Sequence, residues 1–467
     1  MDFPVFHLDF LNNRFLIALI AVLHVIINHP MAVGGIPLVT LLEWRGQKCE
    51  NAEDKAAWDK LAYRILFVFF LITTTIGAMT GVGIWFSTSL VNPYAIGSLI
   101  RVFFWAWFTE WVVFVTEVVC ILAYFLTWKK WLSHKTKHIQ LGLFLSIASW
   151  LTMAIIVAIL AFMMDPGNWQ TDRSLLSGFL NPLYLPQLSF RTPLAMLMGG
   201  TLGLALIPFF TKDAPKLKSQ AMGFVSHWIL AWVPALGLGG FWYYKAVPET
   251  MRSQIAVANL TQEFSAWQNQ FIWILGASMV IAVGIALIFA MKPTAKLRPI
   301  TVVPFVLFVA LISHFERVRE FIRKPYAIGN YLYSNGFRVD DYPLLQRDGI
   351  LKHATYANVR EITPENTLQA GKDVFTLACT RCHTTQGING IKQILTRMYG
   401  TGPWDEEQIK RYVATMHNTR SFMPPFPGSE TELDALSKYL AYLSTHTDVI
   451  PGSQVTGTKL PILTETP

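Results

Sequence analysis

Charge is what this chain has little of. Only 15% of its 467 residues are Asp, Glu, Lys or Arg, against roughly 25% in soluble domains. That shortfall excludes an ordinary soluble enzyme, and the length leaves room for two or three domains. Four cysteines exclude a disulfide-rich scaffold. No strong internal repeat and no low-complexity tract is visible. No cleavable leader is expected either. The first apolar run is too long for a leader and lacks a small-residue cleavage site, so it reads as a retained spanning helix. What the chain has in excess is apolar: 52% hydrophobic residues, with 16 Trp and 32 Phe. Such aromatics suit lipid-facing surface and interfacial belts. The net charge of +8 raises nucleic acid as a partner, but much of it falls in short loops between apolar runs, so no nucleic-acid partner is expected.

A span needs about 20 mainly apolar residues. Eight stretches qualify, near 14–42, 62–90, 99–127, 139–164, 192–211, 221–245, 269–291 and 299–322. Pro30 and the Gly34-Gly35 pair predict a kink in the first. Fifteen cations, among them Arg45, Lys55, Lys130, Lys135, Lys216 and Lys292, fall in the loops on one side. Six fall on the other: Arg14, Arg101, Arg173, Arg191, Lys245 and Arg252. Fifteen against six is a positive-inside signal. It places both termini outside, facing the periplasm of a bacterial inner membrane, as an even number of spans requires. The fold class expected is all-α: a polytopic transmembrane bundle over 1–322, a linker on the outer face over 323–365, a small helical domain over 366–449, and a poorly ordered tail over 450–467.

The small domain carries Cys379-Thr-Arg-Cys382-His383. In C-x-x-C-H two thiols add to the vinyl groups of one haem, and the His binds its iron. A bare redox pair or half a zinc site is the rival reading. The His directly after the second Cys and the helix predicted over Thr367–Ala378 argue against it, and no second C-x-x-C exists to complete zinc ligation. One covalent haem c is therefore expected. Met416, His417 and Met423 are candidates for the sixth ligand. Met423 opens Met-Pro-Pro-Phe-Pro-Gly, an extended stretch suited to holding a thioether over a haem face, whereas Met416 falls on a predicted helix. The segment resembles class I cytochrome c over about eighty residues, and a His/Met pair raises the iron potential. Haem c is attached on the outer side of bacterial membranes, which agrees with the loop charges. Cys49 and Cys120 are expected to be free thiols.

Ionisable residues inside spans are costly and are functional candidates by default. His24 and His29 lie in the first span, five residues apart, so they need not share a face. Glu110 and Glu117 lie in the third, close to two turns apart, so both carboxylates point the same way. The eighth ends in a charged run from His314 to Arg323 that includes Glu316, Arg319 and Glu320. Each alone could be a packed or solvated side chain. Together they suggest haem ligation and a proton path.

The order of these segments resembles subunit I of cytochrome bd oxidase. His24, after Ala-Leu-Ile-Ala, matches an early-helix His that binds haem iron in that family. Glu110 and Glu117 match its paired acids, at a spacing one residue shorter. Glu320-Phe-Ile-Arg323-Lys-Pro-Tyr-Ala-Ile-Gly329 is similar to a family segment whose Glu binds a high-spin haem b. The resemblance implies two non-covalent haems, b and/or d, on His24 and Glu320. It implies Glu110 and Glu117 as proton carriers, Arg323 as a partner for a haem propionate or for Glu320, and a second membrane subunit of bd type. The chain departs from the family in three ways. The entry to the fifth span reads Ser189-Phe-Arg191-Thr-Pro193, with no low-spin haem His. Residues 246–268 are too short for the family's quinol-binding loop, and one span is missing. His227 is open as a further ligand or a packing residue.

The reading is a bd-like oxidoreductase whose cytochrome c domain is its electron port. It would pass electrons from a periplasmic cytochrome c, or another redox protein, to O2 or another small oxidant such as nitric oxide. The alternative is an electron-transfer subunit between a quinone pool or partner complex and periplasmic cytochromes, without O2 chemistry. A membrane anchor with a haem-free bundle is the plainest rival.

Overall fold

The computed structural model describes residues 5–260, 268–295 and 298–450. The chain divides into two units. One comprises 18–86 and 97–323, the other the N-terminal residues to Ile17, Ser87–Ile96 and the chain from Lys324 onward.

The first unit is a bundle of apolar helices. Among the described residues, seven helices are long and apolar enough to cross a membrane: Asn13–Gln47, Ala52–Val91, Phe104–Thr127, Leu132–Met164, Tyr184–Phe210, Pro215–Ala246 and Ile300–Ile322. The remaining expected span is the helix Gln268–Met291, whose part Gly276–Met291 is apolar but shorter than the other spans. The kink expected in the first span takes the form of a π-helical turn, His29–Val33, with Pro30 inside it. Proline removes a ladder donor, and a wider turn accommodates the loss. A second π turn, Thr73–Gly77, interrupts the second span. The third expected span is broken at Phe103, between helices Pro93–Val102 and Phe104–Thr127.

The fifth span is the centre of this unit. Its most apolar stretch is 83% buried, whereas the corresponding figure for the third span is 17%. It crosses the first span through backbone contact. A Cβ on Gly34 would collide with the carbonyl of Ala195, and one on Gly199 with the backbone of Gly34. Small residues at such crossings let helices approach where lipid supplies no hydrophobic driving force. Leu38, Phe69, Leu197, Val225 and Phe308 fill the surrounding core.

The second unit holds helices Thr367–Ala378, Ile391–Tyr399, Glu406–Thr419 and Glu430–Tyr442. The first and last cross so closely that a Cβ on Gly371 would overlap the carbonyl of Ala435. Asp405 and Ser429 cap the last two helices, Ser429 through a capping box with Glu432.

The stretch from 324 to 359, expected as a linker, contributes to this same core. It forms a hairpin, Tyr326–Ile328 with Leu332–Tyr333, and short helices Tyr342–Asp348 and Ile350–His353. Tyr333, Tyr342, Leu345, Ile350, Leu351 and Val359 pack with Val374, Phe375 and Tyr439. Asp373 accepts the backbone N–H groups of Asn358 (2.6 Å) and Val359 (2.9 Å), which ties the stretch to the helix before the C-x-x-C-H motif. The tail expected over 450–467 lies outside the described residues beyond Ile450.

Candidate haem sites

The Thr367–Ala378 helix delivers the C-x-x-C-H motif. Cys379 caps it, its N–H donating to the Phe375 carbonyl at 2.9 Å. The Cys379 carbonyl then accepts from the N–H groups of Cys382 (3.1 Å) and His383 (2.9 Å). One further turn of backbone therefore presents two thiols and an imidazole. Neither thiol is in a disulfide, and burial pushes that of Cys379 up to about 12.

The imidazole fits iron. Its Nδ1 lies 3.2 Å from the Asn389 carbonyl. A donor proton held at Nδ1 leaves the lone pair on Nε2, the arrangement that orients a ligating His. Burial lowers its pKa to about 4, so the ring is neutral at physiological pH and can donate to a metal. Among the described residues no group of three or more His, Cys, Asp or Glu side chains could hold a metal ion.

The downstream candidates separate. Met416 lies on the Glu406–Thr419 helix and packs against the core. His417 donates from Nδ1 to the Met423 carbonyl at 2.6 Å. Met423 itself lies in non-helical chain after a turn in which its N–H donates to the Arg420 carbonyl at 2.8 Å. Of the three, Met423 is the side chain that no helix or ring hydrogen bond commits elsewhere.

Sequence reasoning missed a strap. Residues 5–13 lie along the motif loop. Asn12 Nδ2 donates to the Cys382 carbonyl, Thr385 N–H to Asp9 Oδ1 (3.2 Å) and Ile388 N–H to the Phe10 carbonyl (3.4 Å). Only the polarity of His7, Asp9, Asn12 and Asn13 ahead of an apolar run hinted at it.

Residues 366–440 match the family described as cytochrome c oxidase, cbb3-type, subunit III. The C-terminal unit carries a cytochrome c domain. That family match, with Cys379, Cys382 and His383 in place, implies one covalent haem c. The chain is similar in fold to a solved bd oxidase from Geobacillus thermodenitrificans, at 15% identity and a TM-score of 0.56, over 68% of this chain and 89% of that one. No curated protein sequence matches the chain.

In the membrane unit the candidate ligands are held by polar neighbours. His24 Nδ1 lies 3.2 Å from the Gly77 carbonyl and 3.1 Å from Thr80 Oγ1, both on the second span. Gly81 faces the ring so closely that a Cβ there would lie 3.2 Å from Cε1. Glu320 pairs with Arg323 at 3.6 Å, and Arg323 also donates to Met163 Sδ at 3.5 Å. Glu117 accepts from Ser149 Oγ (2.7 Å) and Thr152 Oγ1 (3.3 Å) on the fourth span. Glu110 is half-buried, two turns along the same helix. His227 is engaged at Nδ1 by the Gly223 carbonyl of its own helix, 2.7 Å away.

Two buried clusters in this unit were not anticipated. In one, Glu43 accepts from Lys135 Nζ (2.8 Å), His138 Nδ1 (2.7 Å) and Tyr124 Oη (2.8 Å), while Lys135 also pairs with Asp59. In the other, Arg191 pairs with Glu316 and its Nη1 lies 3.4 Å from His29 Nε2. Arg319 Nε donates to Glu316 Oε2 at 3.0 Å. Lys135 and Arg191, counted above as loop cations on opposite sides, are both buried partners instead, so each side loses one cation and the bias keeps its sign.

Proposed function

We propose that the protein is a membrane-bound, bd-like respiratory oxidoreductase that takes electrons through a haem c on Cys379 and Cys382. It would deliver them to two non-covalent haems, b and/or d, held by His24 and Glu320. Four electrons from a reduced periplasmic cytochrome c, or a comparable redox protein, and four protons would convert one O2 to two waters. The observation that carries this reading is the presence in one chain of a cytochrome c domain and a membrane unit with the bd oxidase fold.

When bound, haem supplies one-electron transfer and, where its iron keeps an open face, a place for O2. The chain's own residues supply the rest. His383, held at Nδ1 by the Asn389 carbonyl, and Met423 would bind iron in the C-terminal unit. Glu117, hydrogen-bonded to Ser149 and Thr152, and Glu110 hold protons along the third span. Arg323 pairs with Glu320. Loop charge supports a periplasmic placement for both termini and the cytochrome c domain. The grouping of residues 5–17 with the chain from Lys324 onward in one unit supports a common side for the two. A second membrane subunit of bd type belongs to the same reading.

A second reading is a subunit that transfers electrons between a quinone pool or partner complex and cytochromes, without O2 chemistry. It is favoured by Arg191, which stands ion-paired where the bd resemblance would put a low-spin haem ligand. Reduced-minus-oxidised and CO-difference spectra of the purified protein separate the two. An oxidase gives haem c plus a CO-reactive high-spin haem. Non-covalent haem without a CO response favours electron transfer alone. Haem c as the sole chromophore overturns both and leaves a membrane anchor.

A further inference from the structure

The Arg191 cluster carries more positive charge than it neutralises. Arg191 is 1% exposed and the side chains of Glu316 and Arg319 are 9% and 10% exposed. One carboxylate thus stands between two guanidinium groups, with His29, 7% exposed, as a third nitrogen neighbour. Glu320 also attracts Arg319, but it is shared with Arg323 at 3.6 Å, so it does not remove the surplus.

A buried charge in excess of its partners is strongly disfavoured unless another group compensates it. The hydrogen-bonding pattern points the same way. Arg191 Nε, Arg319 Nη1 and both amide atoms of Gln187 have no partner among the described residues. Gln187 is fully buried and sits one turn before Arg191, on the same face of the fifth span. Two guanidinium forks and an amide donor are the chemistry that receives a carboxylate.

We propose that Gln187, Arg191 and Arg319 form a receptor for a carboxylate side chain of a non-covalent haem. The inference rests on the proposed function and adds to it a binding role for a span position that offers no iron ligand. The haem carboxylate supplies the missing negative charge, accepts from the guanidinium donors and takes the Gln187 amide as a neutral third donor. Glu316 keeps the two arginines in place.

The test uses the full-length detergent-solubilised protein with its covalent haem c as internal standard. Non-covalent haem is quantified per haem c after extensive dilution, for wild type, Arg191→Gln, Arg319→Gln, Arg319→Lys and Gln187→Leu, and the midpoint potential of the retained haem is titrated. A charge-assisted hydrogen bond contributes about 1.5–3 kcal/mol, so each Arg→Gln change should weaken retention roughly 10- to 100-fold and shift the potential downward. Arg319→Lys should recover part of the retention. Gln187→Leu is the decisive variant, because it removes an amide with no protein partner and leaves every ion pair intact. A merely structural cluster predicts equal or better stability with full haem retention, whereas the receptor predicts weaker retention. Full retention and an unshifted potential in Gln187→Leu and both Arg→Gln proteins overturn the inference while the proposed function stands. Loss of a co-purifying fatty acid or phospholipid, with haem unchanged, also overturns it by assigning the anion to lipid. A wild-type protein with haem c alone instead removes the function on which it rests.

Discussion

Glu432 reaches from the last described helix to the short helix Ile350–His353, and its Oε2 accepts the backbone N–H of Ile350 at 2.8 Å. Its Oε1 accepts from Leu351 N–H at 2.7 Å, and Oε2 also takes the Ser429 N–H at 3.0 Å. One buried carboxylate thus caps its own helix and pins the preceding stretch.

Glu432→Ala should therefore loosen residues 342–354 as well as the terminal helix. Hydrogen bonds to a charged group contribute about 1.5–3 kcal/mol each, and partial replacement by water lowers the sum to about 3 kcal/mol. Faster amide exchange at Ile350 and Leu351, with the C-x-x-C-H helix less affected, is the expected outcome. Unchanged exchange at both would show that the stretch is held by its apolar side chains alone.

Glu43 is the hub of the other unanticipated cluster, with Lys135, His138 and Tyr124. Glu43→Ala would leave Lys135 without one of its two carboxylates and His138 and Tyr124 without their carboxylate partner. Removing one partner from a buried ion pair costs about 3–5 kcal/mol. A lower thermal midpoint for the detergent-solubilised protein is expected, with Glu43→Gln intermediate because the amide keeps an acceptor. Equal stability of all three proteins would mean that water reaches the cluster freely.

The sixth ligand of haem c separates by mutation. Met423→Ala should abolish the sulfur-to-iron absorption near the red edge and lower the haem c potential, because loss of the thioether favours the ferric state. Met416→Ala should cost packing in the C-terminal unit and leave that band intact. The reverse pattern would move the ligand onto the Glu406–Thr419 helix.

The spans and the haem c helix were legible because each rests on local chemistry. Twenty apolar residues specify a span whatever surrounds them, and Cys379, Cys382 and His383 carry their meaning in their spacing. The 324–359 stretch was not legible, because its apolar side chains are scattered among polar ones without a helical or strand period. Their burial depends on Val374, Phe375 and Tyr439, far away in sequence. Arg191 was visible but misplaced. Near a predicted span boundary it reads as a loop cation, and only the packing of the eighth span brings Glu316 to it. The π turn at His29–Val33 was readable as a kink from Pro30, whereas Thr73–Gly77 has no proline to announce it.

The proposed iron ligands of the membrane unit, His24 and Glu320, separate by mutation. A neutral imidazole is a strong donor, and His24 is fixed through Nδ1 by the Gly77 carbonyl and Thr80. A carboxylate is a weaker donor that suits a high-spin iron with an open face, and it binds only while ionised. Glu320 has Arg323 at 3.6 Å to compensate that charge, and ferric iron would add to the compensation. Glu320→Ala should therefore lose the CO-reactive haem and all oxygen consumption while haem c stays at one per chain. Arg323→Ala should weaken the same haem less severely, because the iron itself still holds the carboxylate ionised. His24→Ala should remove a different non-covalent haem, so that the Glu320→Ala and His24→Ala proteins each retain the chromophore the other lacks. Haem content by pyridine haemochrome and CO-difference spectra of the three variants measure this directly. A Glu320→Ala protein with full haem content and an intact CO response would remove Glu320 from the iron and the oxidase reading with it.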